Sequence, residues 1–309
     1  MSGKKFRLVT RSDFDGLVCA TLLRELDMID DILFVHPKDM QDGKVAISES
    51  DITTNLPYVD GVHLCFDHHA SEMLRVSRRD NHVIDPTAAS AARVVYRHFG
   101  GKERFPHISD EMMEAVDKAD SAQYSEEDIL APAGWTLLNF IMDPRTGLGR
   151  FRDFGISNTQ LMMDLISYCR NHSIDEILAL PDVVERLHLY EDHAERAEHQ
   201  LIRCTALHGN LAVLDLRNEE TIYACNRFMI YALFPTANIS MHVMWGARRL
   251  NTVFAVGKSI LDRSSRTEVG RLMLDYGGGG HEAAGTCQVE TERAEAVKME
   301  LISRINSDG

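Results

Sequence analysis

Phe6-Arg7-Leu8-Val9-Thr10-Arg11-Ser12-Asp13-Phe14-Asp15-Gly16-Leu17 opens the first ordered pattern of the chain. Residues 6–10 read as a short buried strand, and the apolar spacing over 17–26 reads as a helix with Ala20 on a close-packing face. Gly16 permits tight passage of the backbone between the two. Further strands are predicted over 32–36, 51–55 and 62–66, with Pro57 stopping the third. A helix is predicted over 87–99, with Pro86 ahead of it and Gly100-Gly101 behind. Alternating strands and helices point to a parallel sheet covered by helices. In such sheets chemistry collects beyond the carboxyl ends of the strands. Asp13, Asp15, Asn55 and Asp67 all fall at such ends, which groups them on geometric grounds.

From His107 onward the pattern turns helical, with segments at 111–119, 155–170 and 174–180 and a long charged amphipathic stretch over 181–206. After Gly209 strands return at 211–215, 239–243 and 252–256, with a helical patch around 225–233. The fold class is therefore α/β. Residues 1–180 form an N-terminal parallel-sheet domain, 181–206 a helical linker and 207–309 a smaller C-terminal α/β domain.

The 309 residues are 44% hydrophobic, ample for a core, and no apolar run is long enough to span a bilayer. The first residues lack a secretory pattern. Six cysteines without paired spacing argue against a disulfide framework and favour a reducing cytoplasm. A net charge of -14 argues against a duplex-DNA binder, because phosphate contacts need a basic face. It leaves room for a small phosphorylated substrate, since carboxylates that hold cations create a locally positive site.

Asp67-His68-His69 closes the predicted strand at 62–66 with the mixture of hard and borderline ligands that suits Mn, Fe, Co or Zn; ordinary polar residues at a strand end would read the same. Asp13 and Asp15 flank one residue, so on an extended segment both carboxylates point one way and invite a cation; a helix-capping turn is the alternative. Asp117 or Asp120 is a further candidate ligand, or a solvated helix end. Gly277-Gly278-Gly279-Gly280-His281 offers backbone N–H groups to an anion, with Ala283, Ala284 and Gly285 suiting a helix start on a sheet. Ser259 and Arg263 lie in a loop that either binds a phosphate or is plain surface. The basic loop from Arg145 to Arg152 either lines an anion entrance or is solvated.

Asp13-Phe14-Asp15-Gly16, Asp67-His68-His69, Asp120 and the glycine run ending in His281 occur in the order found in one family. The chain resembles the DHH phosphoesterase superfamily, in the branch with a glycine-rich C-terminal substrate domain and nearest the exopolyphosphatase-related and nanoRNase-like members. The resemblance implies a hydrolase of phosphoester bonds with a two-metal site, usually manganese, in the N-terminal domain; one or two ions, or other divalent metals, are expected in this chain. It implies a C-terminal domain gripping substrate across a cleft. By position, Asp13, Asp15, Asn55, His68 and Asp120 would ligate metal, with Asp67 orienting an imidazole behind them. His69 would face the scissile phosphate, with Arg11 stabilising its charge. Arg263, Ser259, Gly278, Gly279, Gly280 and His281 would bind substrate.

Two positions depart from the family pattern. Arg11 stands where relatives have His or Asp, and Asn55 where they have a bridging Asp, although Asp51 or Asp39 could supply that carboxylate. The expected substrate is a short single-stranded oligonucleotide or small nucleotide, with neither duplex DNA nor a membrane as partner; a homodimer is left open. Polyphosphate is the alternative substrate, with an aromatic platform at Tyr276 or Phe228 distinguishing nucleotides. A nucleotide sensor with a degenerate metal site is the alternative of another class.

Overall fold

The computed structural model describes residues 4–151 and 153–309. Two compact units form, residues 1–123, 132–144 and 148–188 in one, and 124–131, 145–147 and 189–309 in the other.

In the first unit β1 (Phe6–Thr10), α1 (Phe14–Glu25), β2 (Ile29–Phe34), α2 (Pro37–Gln41), β3 (Asp51–Thr54), β4 (Leu64–Asp67), α3 (Ala70–Arg75), β5 (His82–Ile84) and α4 (Ala91–His98) follow one another. The strands pair only in parallel, in the order β2-β1-β3-β4-β5. The chain turns to opposite sides after β1 and β2, so the carboxyl ends of β1 and β3 flank the switch point of the sheet, where a crevice opens in such folds. Leu17, Leu22 and Leu23 of α1 have no exposed surface, and each contributes about 1.5–3 kcal/mol by leaving water. That helix packs on α4 and on α5 (Asp110–Asp120). Next along the chain come α6 (Glu126–Leu130), which belongs to the second unit, then α7 (Gly134–Met142), α8 (Asn158–Tyr168) and α9 (Ile174–Leu178) of the first, and the long α10 (Pro181–Cys204), which passes from the first unit to the second after residue 188.

Several boundaries differ from the pattern reading. The first helix begins at Phe14, so Asp15 lies in its first turn and the two aspartates share no extended segment. The second strand starts three residues early, the fourth runs to Asp67, and β5 was not foreseen. The helix expected over 87–99 starts at Ala91, behind the Ser90 N-cap, whose hydroxyl accepts from Arg93 N. The helix expected over 155–170 spans Asn158–Tyr168.

The second unit holds β6 (Thr205–His208), β7 (Leu211–Asp215), α11 (Met229–Leu233), β8 (Ile239–Trp245), β9 (Asn251–Lys258), α12 (Val269–Leu274), β10 (Gly279–His281), β11 (Ala284–Glu290) and α13 (Ala294–Asp308). Its mixed sheet runs β10-β11-β9-β8-β7-β6. One face carries Ile239, Met241, Val243, Phe254 and Val256 against Val297, Leu301 and Ile305 of α13. The helix start expected at 283–285 is instead the far arm of a hairpin, because the glycines let two backbones meet. A Cβ on Gly278 would lie 2.0 Å from Thr286 O, and one on Gly280 2.3 Å from Ala284 O.

His242 in β8 faces away from that core, and burial lowers its pKa to about 4 from an ordinary 6.5. The folded state thus holds the ring neutral where the unfolded chain would take a proton. The contribution is complete above pH 6.5 and is lost as pH falls towards 4, on the order of 1–3 kcal/mol. Thermal melts of His242→Gln at pH 7.5 and 5 are expected to differ less than those of the parent. No helix among the described residues is long and apolar enough to cross a membrane. None of the six cysteines forms a disulfide.

Candidate metal centre

Asp15, His68 and Asp120 bring one ligand atom each to within 4.8 Å of one another. Three elements deliver them: the start of α1, the turn after β4 and the last residue of α5.

Asp15 is 2% exposed, and both carboxylate oxygens accept backbone N–H groups at the start of α4: Ala91 at 3.0 Å and Ala92 at 2.8 Å. The positive ends of two helices therefore meet this side chain. Even so, burial pushes its pKa well above the ordinary value, and the Asp120 and Asp13 carboxylates push the same way. A nearby cation is the usual remedy for clustered buried anions.

His68 Nδ1 donates to Ala88 O at 3.3 Å, which turns Nε2 towards the cluster. Nε2 lies 2.9 Å from Asp120 Oδ2 without the alignment of a hydrogen bond. Burial lowers the His68 pKa, but the carboxylates of Asp120, Asp15 and Asp67 outweigh it and bring the imidazole up to about 9. Asp67 has no exposed surface; its Oδ1 accepts from His68 N and His69 N and lies 2.7 Å from His69 Nδ1. It fixes the ring of His69, a residue one-third exposed.

The geometry separates residues that the sequence left together. Asp117 accepts from Ser90 Oγ and Arg93 Nε, each at 2.7 Å, and ties α5 to α4, leaving Asp120 for the cluster. Asp13 caps α1 by accepting from Gly16 N at 3.0 Å and pairs with Arg11 Nε at 3.1 Å, so it lies outside the three-residue donor group. Asn55 sits at the end of β3 with φ +54, a left-handed conformation that Asn tolerates. It is 1% exposed, and neither of its amide atoms has a hydrogen-bond partner. Asp51 lies at the amino end of β3, paired with Arg7, and Asp39 pairs with Lys44, so neither supplies a carboxylate here.

In the second unit the N–H groups of Gly277 and Gly278 close α12 onto Leu274 O and Met273 O, so they do not cradle an anion as expected. Gly279, Gly280 and His281 form β10, with His281 exposed. Ser259 is 3% exposed, and its Oγ accepts from Leu261 N and Asp262 N, which caps the turn after β9. Arg263 lies exposed in the loop that follows. Of the suggested aromatics, Phe228 is 6% exposed against Tyr124 and offers no open platform, while Tyr276 is half-buried with its hydroxyl donating to Glu300. In the basic loop Thr146 and Leu148 are buried, while Arg152 lies outside the described residues. Pattern reading missed the two alanine N–H groups that hold Asp15, although Ser90 ahead of Ala91-Ala92 carries the N-cap signal for them.

The donor set fits a divalent ion. It combines one oriented imidazole with two carboxylates, and Asn55 Oδ1 and Asp67 Oδ2 nearby are buried acceptors without a donor.

No family model matches the sequence, and no curated protein matches it. Among solved structures, a pGpG-specific phosphodiesterase, PggH from Vibrio cholerae, is 61% identical with a TM-score of 0.87 over 99% of this chain and 100% of its own. RecJ from Thermus thermophilus, in complex with Mn2+, matches at 15% identity and TM-score 0.56 over 98% of this chain and 52% of its own. CDC45 from Entamoeba histolytica matches at 9% and 0.53 over 98% and 95%; these two likenesses show the fold alone.

The parallel sheet with acids and imidazoles gathered beyond the carboxyl ends of its strands, together with the full-length likeness to PggH, places the chain in the DHH phosphoesterase superfamily. It is a hydrolase acting on phosphoester bonds.

Proposed function

We propose that the chain is a divalent-metal-dependent phosphodiesterase of short oligonucleotides, with linear dinucleotides such as pGpG as the substrate class. The convergence of Asp15, His68 and Asp120 in a buried, anion-rich corner carries the metal dependence. The 61% identity to PggH over the whole chain carries the substrate class and disfavours both polyphosphate and a binding-only role. Manganese or magnesium suits the oxygen-rich donor set, and the unpaired cysteines suit a cytoplasmic setting.

When bound, the ion would supply Lewis-acid chemistry and neutralise phosphate charge. The chain's own residues do the rest. Asp15 is held by Ala91 N and Ala92 N, and His68 by Ala88 O, so two of the three donors are oriented in advance. His69, steadied by Asp67, presents its ring to the substrate phosphate, and Arg11 adds a guanidinium on the β1 side.

The test is a panel of pGpG, other linear dinucleotides, cyclic dinucleotides, adenosine bisphosphate and polyphosphate, with Mn2+, Mg2+ or a chelator. Metal-stimulated cleavage of linear dinucleotides is the expected result. Equal turnover in chelator would refute the metal dependence, and cleavage of polyphosphate alone would refute the substrate class.

A further inference from the structure

Asp13 and Asp15 stand two residues apart, yet only Asp15 joins the donor group. One oxygen of Asp13 accepts from Gly16 N at 3.0 Å, and the other lies 3.1 Å from Arg11 Nε. A cation beside Asp13 would have to displace a guanidinium whose charge is permanent at any working pH. The next strand in the sheet, β3, ends not in a carboxylate but in Asn55, a buried neutral amide with both polar atoms unpartnered. Anionic ligands for one ion are therefore present, while the neighbouring acid, Asp13, is taken by an arginine and the adjacent strand is followed by a neutral amide. The Arg11 side chain is about one-third exposed, at 32%, so its outer edge is open to an anion. A guanidinium in that position can grip phosphate oxygens bidentately.

We infer that the centre takes a single divalent ion per chain, on Asp15, His68 and Asp120, and that Arg11 stands in for a second cation by contacting the substrate phosphate directly. This rests on the phosphodiesterase reading above. It follows that metal-stripped protein keeps part of its grip on substrate.

Metal-free protein is titrated with Mn2+, and bound ion is read by elemental analysis after desalting and by electron paramagnetic resonance. One Mn per chain with the spectrum of an isolated ion is expected. Two per chain with a spin-coupled signal would overturn this inference and leave the phosphodiesterase reading intact; no bound ion would overturn both. Arg11→His, which puts a ligating imidazole beside Asp13, is expected to raise the count to two; a count still at one would overturn the idea that Arg11 occupies the second position. Calorimetric binding of pGpG to metal-free protein completes the test. Arg11→Ala is expected to weaken it at least about 10-fold, with Arg11→Lys closer to the parent. Unchanged affinity in Arg11→Ala would overturn the phosphate contact.

Discussion

Asp120→Ala is expected to lose ion binding and nearly all hydrolysis, whereas Asp117→Ala, one turn earlier on the same helix, is expected to lose folding stability. Asp120 belongs to the three-residue group that could hold an ion, and its Oδ2 lies 2.9 Å from His68 Nε2. Removing a partner behind a ligand already costs ~10–100-fold in metal affinity or activity, so removing a ligand is expected to exceed that. Asp117 instead holds Ser90 and Arg93 of α4. Its loss leaves a largely buried guanidinium without a carboxylate, at a cost of about 1–3 kcal/mol. Chemical denaturation paired with Mn2+ titration separates the two effects. Ion binding abolished by Asp117→Ala with stability unchanged would reverse the assignment.

Gly16→Ala is expected to damage stability and activity together. A methyl group there would lie 2.0 Å from the carbonyl oxygen of Arg11 and 2.9 Å from Thr10 Oγ1. The first obstacle is backbone, so the turn carrying Arg11, Asp13 and Asp15 has to move as a piece. Overpacking of this kind costs roughly 1–3 kcal/mol. A displacement near 1 Å at a reacting centre costs on the order of 100-fold in rate. Gly43→Ala serves as the contrast. Its φ is +67 with nothing within 4 Å, so it is expected to lower stability slightly and leave turnover alone. Equal turnover for Gly16→Ala and the parent would show that the turn is not held where the carbonyl places it.

The parallel sheet was legible from the chain, because buried strands and the polar residues that follow them leave a plain pattern. What was not legible was which carboxylate does what. Asp13 and Asp15 look alike in sequence; they divide into a cap and a cluster member only because the helix starts at Phe14. Asp117 and Asp120 divide because Arg93, far along the chain, takes the first. The glycine run misled in another way. Small residues announce that something approaches closely, but not whether a helix or a strand does so. Here the backbone of β11 approaches, and a helix end consumes two of the N–H groups expected to face an anion. The three-residue edge strand β5 was too short to leave a periodic signal.

Asp15 accepts from the first turn of α4 while lying in the first turn of α1, so one carboxylate staples two helices whatever else it holds. Among the described residues, nothing comparable binds the His68 or Asp120 side chain to two helices at once. A lineage drifting from this ancestor into a catalytically dead paralogue would therefore shed its histidine or its second acid first. The aspartate at position 15 would survive as a fossil, retained for the scaffold long after its chemistry had ended.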